Sequence, residues 1–287
     1  MNPASLTELP GLDWCRERVL VPGHPLSLTL PYAEPMLRAP LMVLHALAGA
    51  IAAIPEEVSD RGVAARTLAW WREALADDLP HPALQAARAT GVFERIPRSA
   101  LMDLIDQTAI WLEGPRFETN AQWVAFARTQ AEAVVRCEAL LVDPKLSDGV
   151  LASLVAAGGA AWRARRLRDL VQDARADRWW VPLEHQAAFQ VTRQEVVLAD
   201  PVPRLSGLIR HLADEVAGDL QQAMGRVDAR DAWTHRHLWL RWVLDAHLVK
   251  QIRSRPADIL SERLATTRWT TPFLLWLKAR KLRNAVH

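Results

Sequence analysis

Asp169 and Asp173 stand four residues apart in the stretch Arg168-Asp169-Leu170-Val171-Gln172-Asp173. On a helix that spacing puts both carboxylates on one face. Two carboxylates so placed can share Mg²⁺ ions, and the ions can hold a diphosphate. Arg168 and Arg178 sit where guanidinium groups could contact phosphate oxygens. The same spacing also fits a surface ladder in which Arg165, Asp169 and Asp173 stack at four-residue steps. Arg163, Arg165, Arg166 and Arg168 crowd the same region. They read either as a solvated, salt-bridged face or as a site for phosphate or an acidic headgroup.

Other candidates carry less. His235, His237 and His247 lie in one helical run. A His-x-His pair on a helix points roughly 200° apart and makes a poor metal site. Cys15 and Cys137 have no nearby His/Asp signature and read as structural thiols. Two cysteines make no disulfide framework, so a reducing compartment is expected.

The elements that must position these groups are helices. Apolar residues recur at three- and four-residue spacing over 36–54, 60–77, 98–113, 120–142, 149–174, 205–224, 234–253 and 269–283. Prolines, among them Pro55, Pro80, Pro82, Pro97, Pro144, Pro182, Pro201, Pro203 and Pro256, punctuate the gaps. Thr119 and Ser147 are placed as N-caps. Alternating strand patterns are nearly absent, so a single all-α domain spanning 1–287 is expected.

Composition narrows the function classes. The chain is 50% hydrophobic and 24% charged, as expected of a packed globular protein. A net charge of +2 does not suggest general nucleic-acid binding. Leu41 to Ile54 is the most apolar stretch, but it is well short of the roughly 20 residues of a spanning helix. Met1 to Leu12 lacks the basic head and apolar core of a signal peptide. The expectation is a cytoplasmic protein, with at most peripheral contact with the inner face of a membrane. Thirteen Trp against one Tyr require large rings to be accommodated, more readily in the core than in a membrane anchor.

The extended pattern around Asp173 is more specific than the pair. Arg-Asp-x-x-x-Asp, followed after four residues by Arg178, Trp179 and then Pro182, closely resembles the second Asp-rich motif of the squalene/phytoene synthase family. Arg38, Leu41 and Leu44-His45-Ala46 resemble a further family helix, and Glu56 to Asp60 resembles the end of its first Asp-rich motif. Trp70-Trp71-Arg72-Glu73 with His81-Pro82, and Leu112 to Thr119, fit as well. The resemblance covers roughly residues 13–283. It implies the isoprenoid-synthase fold, helices around a central apolar cavity, with two Asp-rich motifs facing each other across its mouth. It also implies Mg²⁺-dependent condensation of two prenyl diphosphates, with the metal offsetting charge on the leaving diphosphate.

The chain departs from that pattern at the oxygen donors. Ala52 and Ala53 stand where the first motif has aspartates, leaving Glu56 as its remaining carboxylate. Trp111 replaces an expected Asp, Trp162 and Arg165 an expected Gln and Asn, and Phe126 an expected Tyr. Mg²⁺ takes about six oxygens in near-octahedral order, so half a site on Asp169, Asp173 and Glu56 is expected to hold no bound cofactor, and Arg165 is expected to neutralise Asp169. The same losses resemble a branch of the family that includes a mitochondrial complex I assembly factor. The leading expectation is a family member that does not condense prenyl diphosphates. Such a protein would bind an isoprenoid or lipid, or a protein partner in assembly. The alternative is an active Mg²⁺-dependent prenyltransferase using Asp169, Asp173 and Glu56, with Arg165, Arg168 and Arg178 on the diphosphate.

Overall fold

The structure, a computed structural model, describes residues 9–77, 79–199, 202–265 and 269–286. The proline break at Pro201, and the first eight residues of the stretch expected to lack a leader, lie outside the described residues. Helices account for all the regular structure among the described residues. The chain starts with α1 (Leu12–Val19), the short α2 (Pro25–Thr29), two 3-10 turns and α3 (Arg38–Ala52). It continues through α4 (Ile54–Glu57), α5 (Arg61–Asp77), α6 (Pro82–Ala89), α7 (Val92–Arg95) and α8 (Arg98–Leu112). The long pair α9 (Asn120–Val142) and α10 (Asp148–Arg168) follows, then the short α11 (Leu170–Arg175), α12 (Leu183–Phe189) and α13 (Arg193–Leu198). The chain closes with α14 (Pro203–Arg226), α15 (Ala229–Thr234), α16 (Arg236–Ser254), α17 (Asp258–Ser261) and α18 (Thr271–Asn284).

Local chemistry sets most helix starts. Thr119 and Gln122 form a reciprocal capping box at α9, and Ser147 Oγ accepts from Val150 N at 3.4 Å at α10. Proline occupies the first turn of α2, α4, α6, α14 and α18, where its missing N–H costs nothing. His81 caps α6 through Nδ1, which accepts from Ala83 N at 3.1 Å. Its ring packs edge-on against Trp14, Trp70 and Trp71. Burial, with Arg18 nearby, lowers its pKa and so favours the neutral ring that can accept. The Trp-Trp and His-Pro motifs thus act here as a packing unit that holds α5, α6 and α1 together.

Two expected helices are broken. The 149–174 run stops at Arg168, turns at Asp169 (φ −93°, ψ 13°) and resumes at Leu170. The 234–253 run turns at His235 (φ −98°, ψ 30°). Apolar spacing continues through both turns, so periodicity does not mark them.

Helix α10 lies between α9, α14 and α16. Its middle is a buried run of small residues, Ala157 to Ala161, that lets α9 come close. A Cβ at Gly158 would fall 2.7 Å from Val135 Cγ2, and one at Gly159 would fall 3.1 Å from Arg128 Cα. On the N-terminal side, α3 buries Leu41, Leu44, Leu47 and Ile51 against α1, α6 and α8. Pro35–Ala52 is the one segment among the described residues long and apolar enough to cross a membrane, and just over half of it is buried inside the bundle.

Between α8, α9 and α10 the interior is filled by rings. Trp111 and Trp123 each contact both Phe126 and Trp162, which also contact each other, and Trp180 stacks on Trp123 at 4.8 Å. A cavity beside them, bordered by Trp123, Trp180 and Leu212, measures about 10 Å³. The tryptophans late in the chain divide between core and surface: Trp242 is buried on α16, whereas Trp269 and Trp276 are exposed at and on α18.

Gly159→Ala tests the α9/α10 approach. In an open helix the change would stabilise by about 1 kcal/mol. Here the new methyl meets the backbone of Arg128. The expected result is a net loss of about 1–2 kcal/mol in urea unfolding.

Candidate functional site

The turn at Asp169 delivers the site. Asp173 N still donates to Asp169 O at 2.9 Å, so the carboxylates stay one helical turn apart across the break. Neither is on the surface: Asp169 is 3% and Asp173 1% exposed, which excludes a solvated ladder.

Every oxygen of the pair accepts from a cation or an indole. Arg168 holds Asp169 with two bonds, Nε–Oδ1 at 2.8 Å and Nη2–Oδ2 at 2.7 Å. Arg263 holds it with a second such fork, at 2.7 and 3.1 Å, the geometry that makes arginine–carboxylate pairs strong. Asp173 Oδ1 accepts from Arg178 Nε at 3.1 Å, and Oδ2 from Trp180 Nε1 at 3.1 Å. Arg178 Nη1 also reaches Pro55 O at 2.9 Å, tying this junction to α4.

Arg166 is the centre of the arrangement. Its guanidinium lies 3.2 Å from Glu56 Oε1, 3.3 Å from Asp173 Oδ1 and 3.4 Å from Asp169 Oδ2. The remnants of both Asp-rich motifs therefore converge, as the resemblance implies, but on a guanidinium. Arg166 also lies over the rings of Trp111 and Trp162, 5.7 Å from each centroid, within cation–π range. The bridging guanidinium and two of the rings that fill the interior thus contact each other. Ala52 and Ala53 close α3 beside this junction and offer no side-chain oxygen.

Arg165 does not meet Asp169. Its Nη1 donates to Asp245 Oδ2 on α16 at 2.6 Å. The four-residue step is kept, since Asp169 N donates to Arg165 O at 3.1 Å, but Arg168 and Arg263 hold both oxygens of Asp169 and the buried Asp245 needs a cation. Arg163 is likewise no part of a solvated face: it is buried and pairs with Asp219. Deeper in the bundle, Glu138 on α9 is fully buried and accepts from Arg241 at 2.5 Å, with His45 3.1 Å and His237 3.5 Å away. His237 thus faces a carboxylate on α9, while His235 forms the turn before α16 and is also buried.

The two aspartates respond oppositely to these surroundings. Burial raises both pKa values. At Asp169, hydrogen bonds from Arg168 and Arg263 and the charges of Arg168 and Arg166 outweigh it and hold the carboxyl well below its usual range. At Asp173 burial wins over Arg166 and Arg178, and the net shift is upward.

The donor set does not fit Mg²⁺. Mg²⁺ is held through one or two carboxylates, with water filling the rest of its octahedron, so it needs free carboxylate oxygens. The four carboxylate oxygens of Asp169 and Asp173 are engaged. A dication would enter beside Arg166, Arg168, Arg178 and Arg263 against their repulsion.

Sequence reasoning placed Asp169, Asp173, Glu56, Arg168 and Arg178 together, and the structure does the same. It missed Arg263, which no local pattern marks, and the bridging role of Arg166, which stood unremarked in the arginine cluster.

The fold and this junction define an all-helical isoprenoid-synthase-like protein. Residues 22–270 match the squalene/phytoene synthase family profile, and the chain belongs to that family. Among solved structures, squalene synthase HpnC from Alicyclobacillus acidocaldarius aligns with TM-score 0.68 at 17% identity, covering 90% of this chain and 97% of the other. A dehydrosqualene synthase solved with a ligand aligns with TM-score 0.73 at 12% identity, covering 96% of each. YisP from Bacillus subtilis subsp. subtilis strain 168 aligns with TM-score 0.67 at 12% identity, covering 93% of this chain and 95% of the other. No curated protein matches the chain in sequence.

Acid unfolding tests the junction. Asp169 has a depressed folded pKa. Its stabilisation is therefore present above its unfolded pKa of about 3.9 and is lost as pH falls below it. Asp169→Asn is expected to cost about 2–4 kcal/mol at pH 7 and to flatten the stability curve between about pH 5 and pH 2. Asp173, with its pKa raised, should give no such flattening on conversion to Asn. Chemical denaturation across pH reads both.

Proposed function

We propose that this chain is a non-condensing member of the squalene/phytoene synthase family, which keeps the helical bundle and works by binding. One observation carries the reading: both oxygens of Asp169 and of Asp173 are held by guanidinium or indole N–H groups. Arg166 takes the bridging position between Glu56 and the two aspartates. A guanidinium supplies charge and hydrogen bonds, but not a rigid multi-metal clamp that pulls electrons from a diphosphate as its C–O bond breaks. The rings of Trp111, Trp123, Phe126 and Trp162 also occupy interior space between α8, α9 and α10. This set of losses is the basis for grouping the chain with the family branch that contains an assembly factor. A prenyl diphosphate, a lipid or a protein is the partner class.

Work in the cytoplasm, at the inner face of a membrane, is the location that fits. Trp269, Phe273, Trp276 and Leu277 are exposed, and α18 carries Lys278, Arg280, Lys281 and Arg283 without an acidic residue. Apolar rings beside basic side chains suit an interfacial helix.

The competing reading is an active Mg²⁺-dependent prenyltransferase on Asp169, Asp173 and Glu56. It draws on the convergence of those three carboxylates, and it requires Arg166 to leave them.

Turnover separates the two. Purified protein incubated with farnesyl or geranylgeranyl diphosphate and Mg²⁺ is expected to release no diphosphate and to form no squalene or phytoene. Calorimetry is expected to show no micromolar Mg²⁺ site. Product formation that Asp169→Ala abolishes would establish the enzyme instead.

A further inference from the structure

Helices α12 and α14 bring together three side chains, none of which contacts Asp169 or Asp173 directly. His211 and Glu215 are one turn apart on α14 and project from one face. Helix α12 lays His185 against that face. His185 Nε2 lies 3.3 Å from Glu215 Oε2, and His211 Nε2 lies 3.5 Å from Glu215 Oε1. One ligand atom from each of the three residues falls within 4.8 Å of the others. In a tetrahedral zinc site with bonds of about 2.0–2.1 Å, neighbouring ligand atoms are about 3.3–3.4 Å apart. Each histidine-to-glutamate separation, one to each carboxylate oxygen, is close to that edge.

The surroundings hold these groups in place. Helix α14 is anchored by buried Leu208, Leu212 and Val216. The start of α12 is fixed by Leu183 N donating to Phe117 O at 2.9 Å and Glu184 N donating to Glu118 O at 3.1 Å. Asn120 Nδ2 donates to Glu215 Oε1 at 3.2 Å, the kind of outer contact that orients a ligating carboxylate. His185 is 7% exposed, and its Nε2, directed at Glu215, lacks the alignment of a hydrogen bond. A metal ion between His185 and Glu215 would turn this long, poorly aligned contact into two coordinate bonds. The His211 side chain is 41% and that of Glu215 27% exposed, which leaves a side open to solvent.

We infer that His185, His211 and Glu215 form a Zn²⁺ site with three protein ligands and a fourth position facing solvent. Two imidazoles with one carboxylate suit zinc, whereas Mg²⁺ prefers an all-oxygen shell. The inference stands whether or not the family reaction is retained.

The test uses the full chain in a non-chelating buffer. Zn²⁺ is titrated by calorimetry and Co²⁺ by visible absorption. The expected result is stoichiometric Zn²⁺ binding, a tetrahedral-type Co²⁺ spectrum that Zn²⁺ abolishes, and no competition from Mg²⁺. His211→Ala and Glu215→Gln are each expected to weaken Zn²⁺ binding at least about tenfold. On wild-type protein, Zn²⁺ should also protect His211 from diethyl pyrocarbonate, a readout that does not depend on how the variants fold. Absence of stoichiometric binding, unchanged affinity in both variants, or no protection of His211 would each overturn the site.

Discussion

The guanidinium of Arg166, set between Glu56, Asp169 and Asp173, is the interaction on which the site end of the bundle depends. Two aspartates this deeply buried cannot remain ionised without compensation, because the desolvation of each charge costs several kcal/mol. A family member that binds metal answers that constraint with dications. This chain answers it with four guanidinia, from Arg166, Arg168, Arg178 and Arg263. Because those cations belong to the protein, the site is neutralised without a ligand. The compensation also ties distant segments together: α4 through Glu56 and Pro55, α10 through Arg166, and the stretch after α17 through Arg263.

The residues around the junction form one physical set. Ala52 and Ala53 present methyl groups at the end of α3, and Arg166 bridges Glu56 to the two aspartates. Trp111 and Trp162 present their rings to that guanidinium within cation–π range. Elsewhere in the interior the same logic recurs. Glu138 is fully buried, and burial alone would raise its pKa. Arg241, His45 and His237 reverse that shift and hold it well below the ordinary value. Asp245 carries Arg165 as its partner, yet burial still leaves its pKa raised. The bundle is therefore braced by paired charges as well as by its apolar clusters, and removing one member of a pair would leave its partner buried and uncompensated.

The all-α class, the N-caps at Thr119 and Ser147, and the grouping of Asp169, Asp173, Arg168 and Arg178 were legible in the sequence. Each depends on interactions within a few residues, or on a helical period that repeats along the chain. The meeting of Glu56 with Asp169 and Asp173 was legible only through resemblance to the family pattern, since nothing local joins segments so far apart in the chain. What tertiary structure alone decided is the choice of ion-pair partner. Arg165 went to Asp245, and Arg166 rather than Arg165 bridged the aspartates. Arg263 arrived from ninety-four residues away. The turns at Asp169 and His235 fall in the same class, because the apolar period runs through both without a break. A long, flexible arginine can reach several carboxylates, and its neighbours in sequence do not determine which one. Where burial makes an unpaired charge expensive, the packed arrangement of helices selects the partner, and only that arrangement says whether an Asp-rich motif faces a metal or a guanidinium.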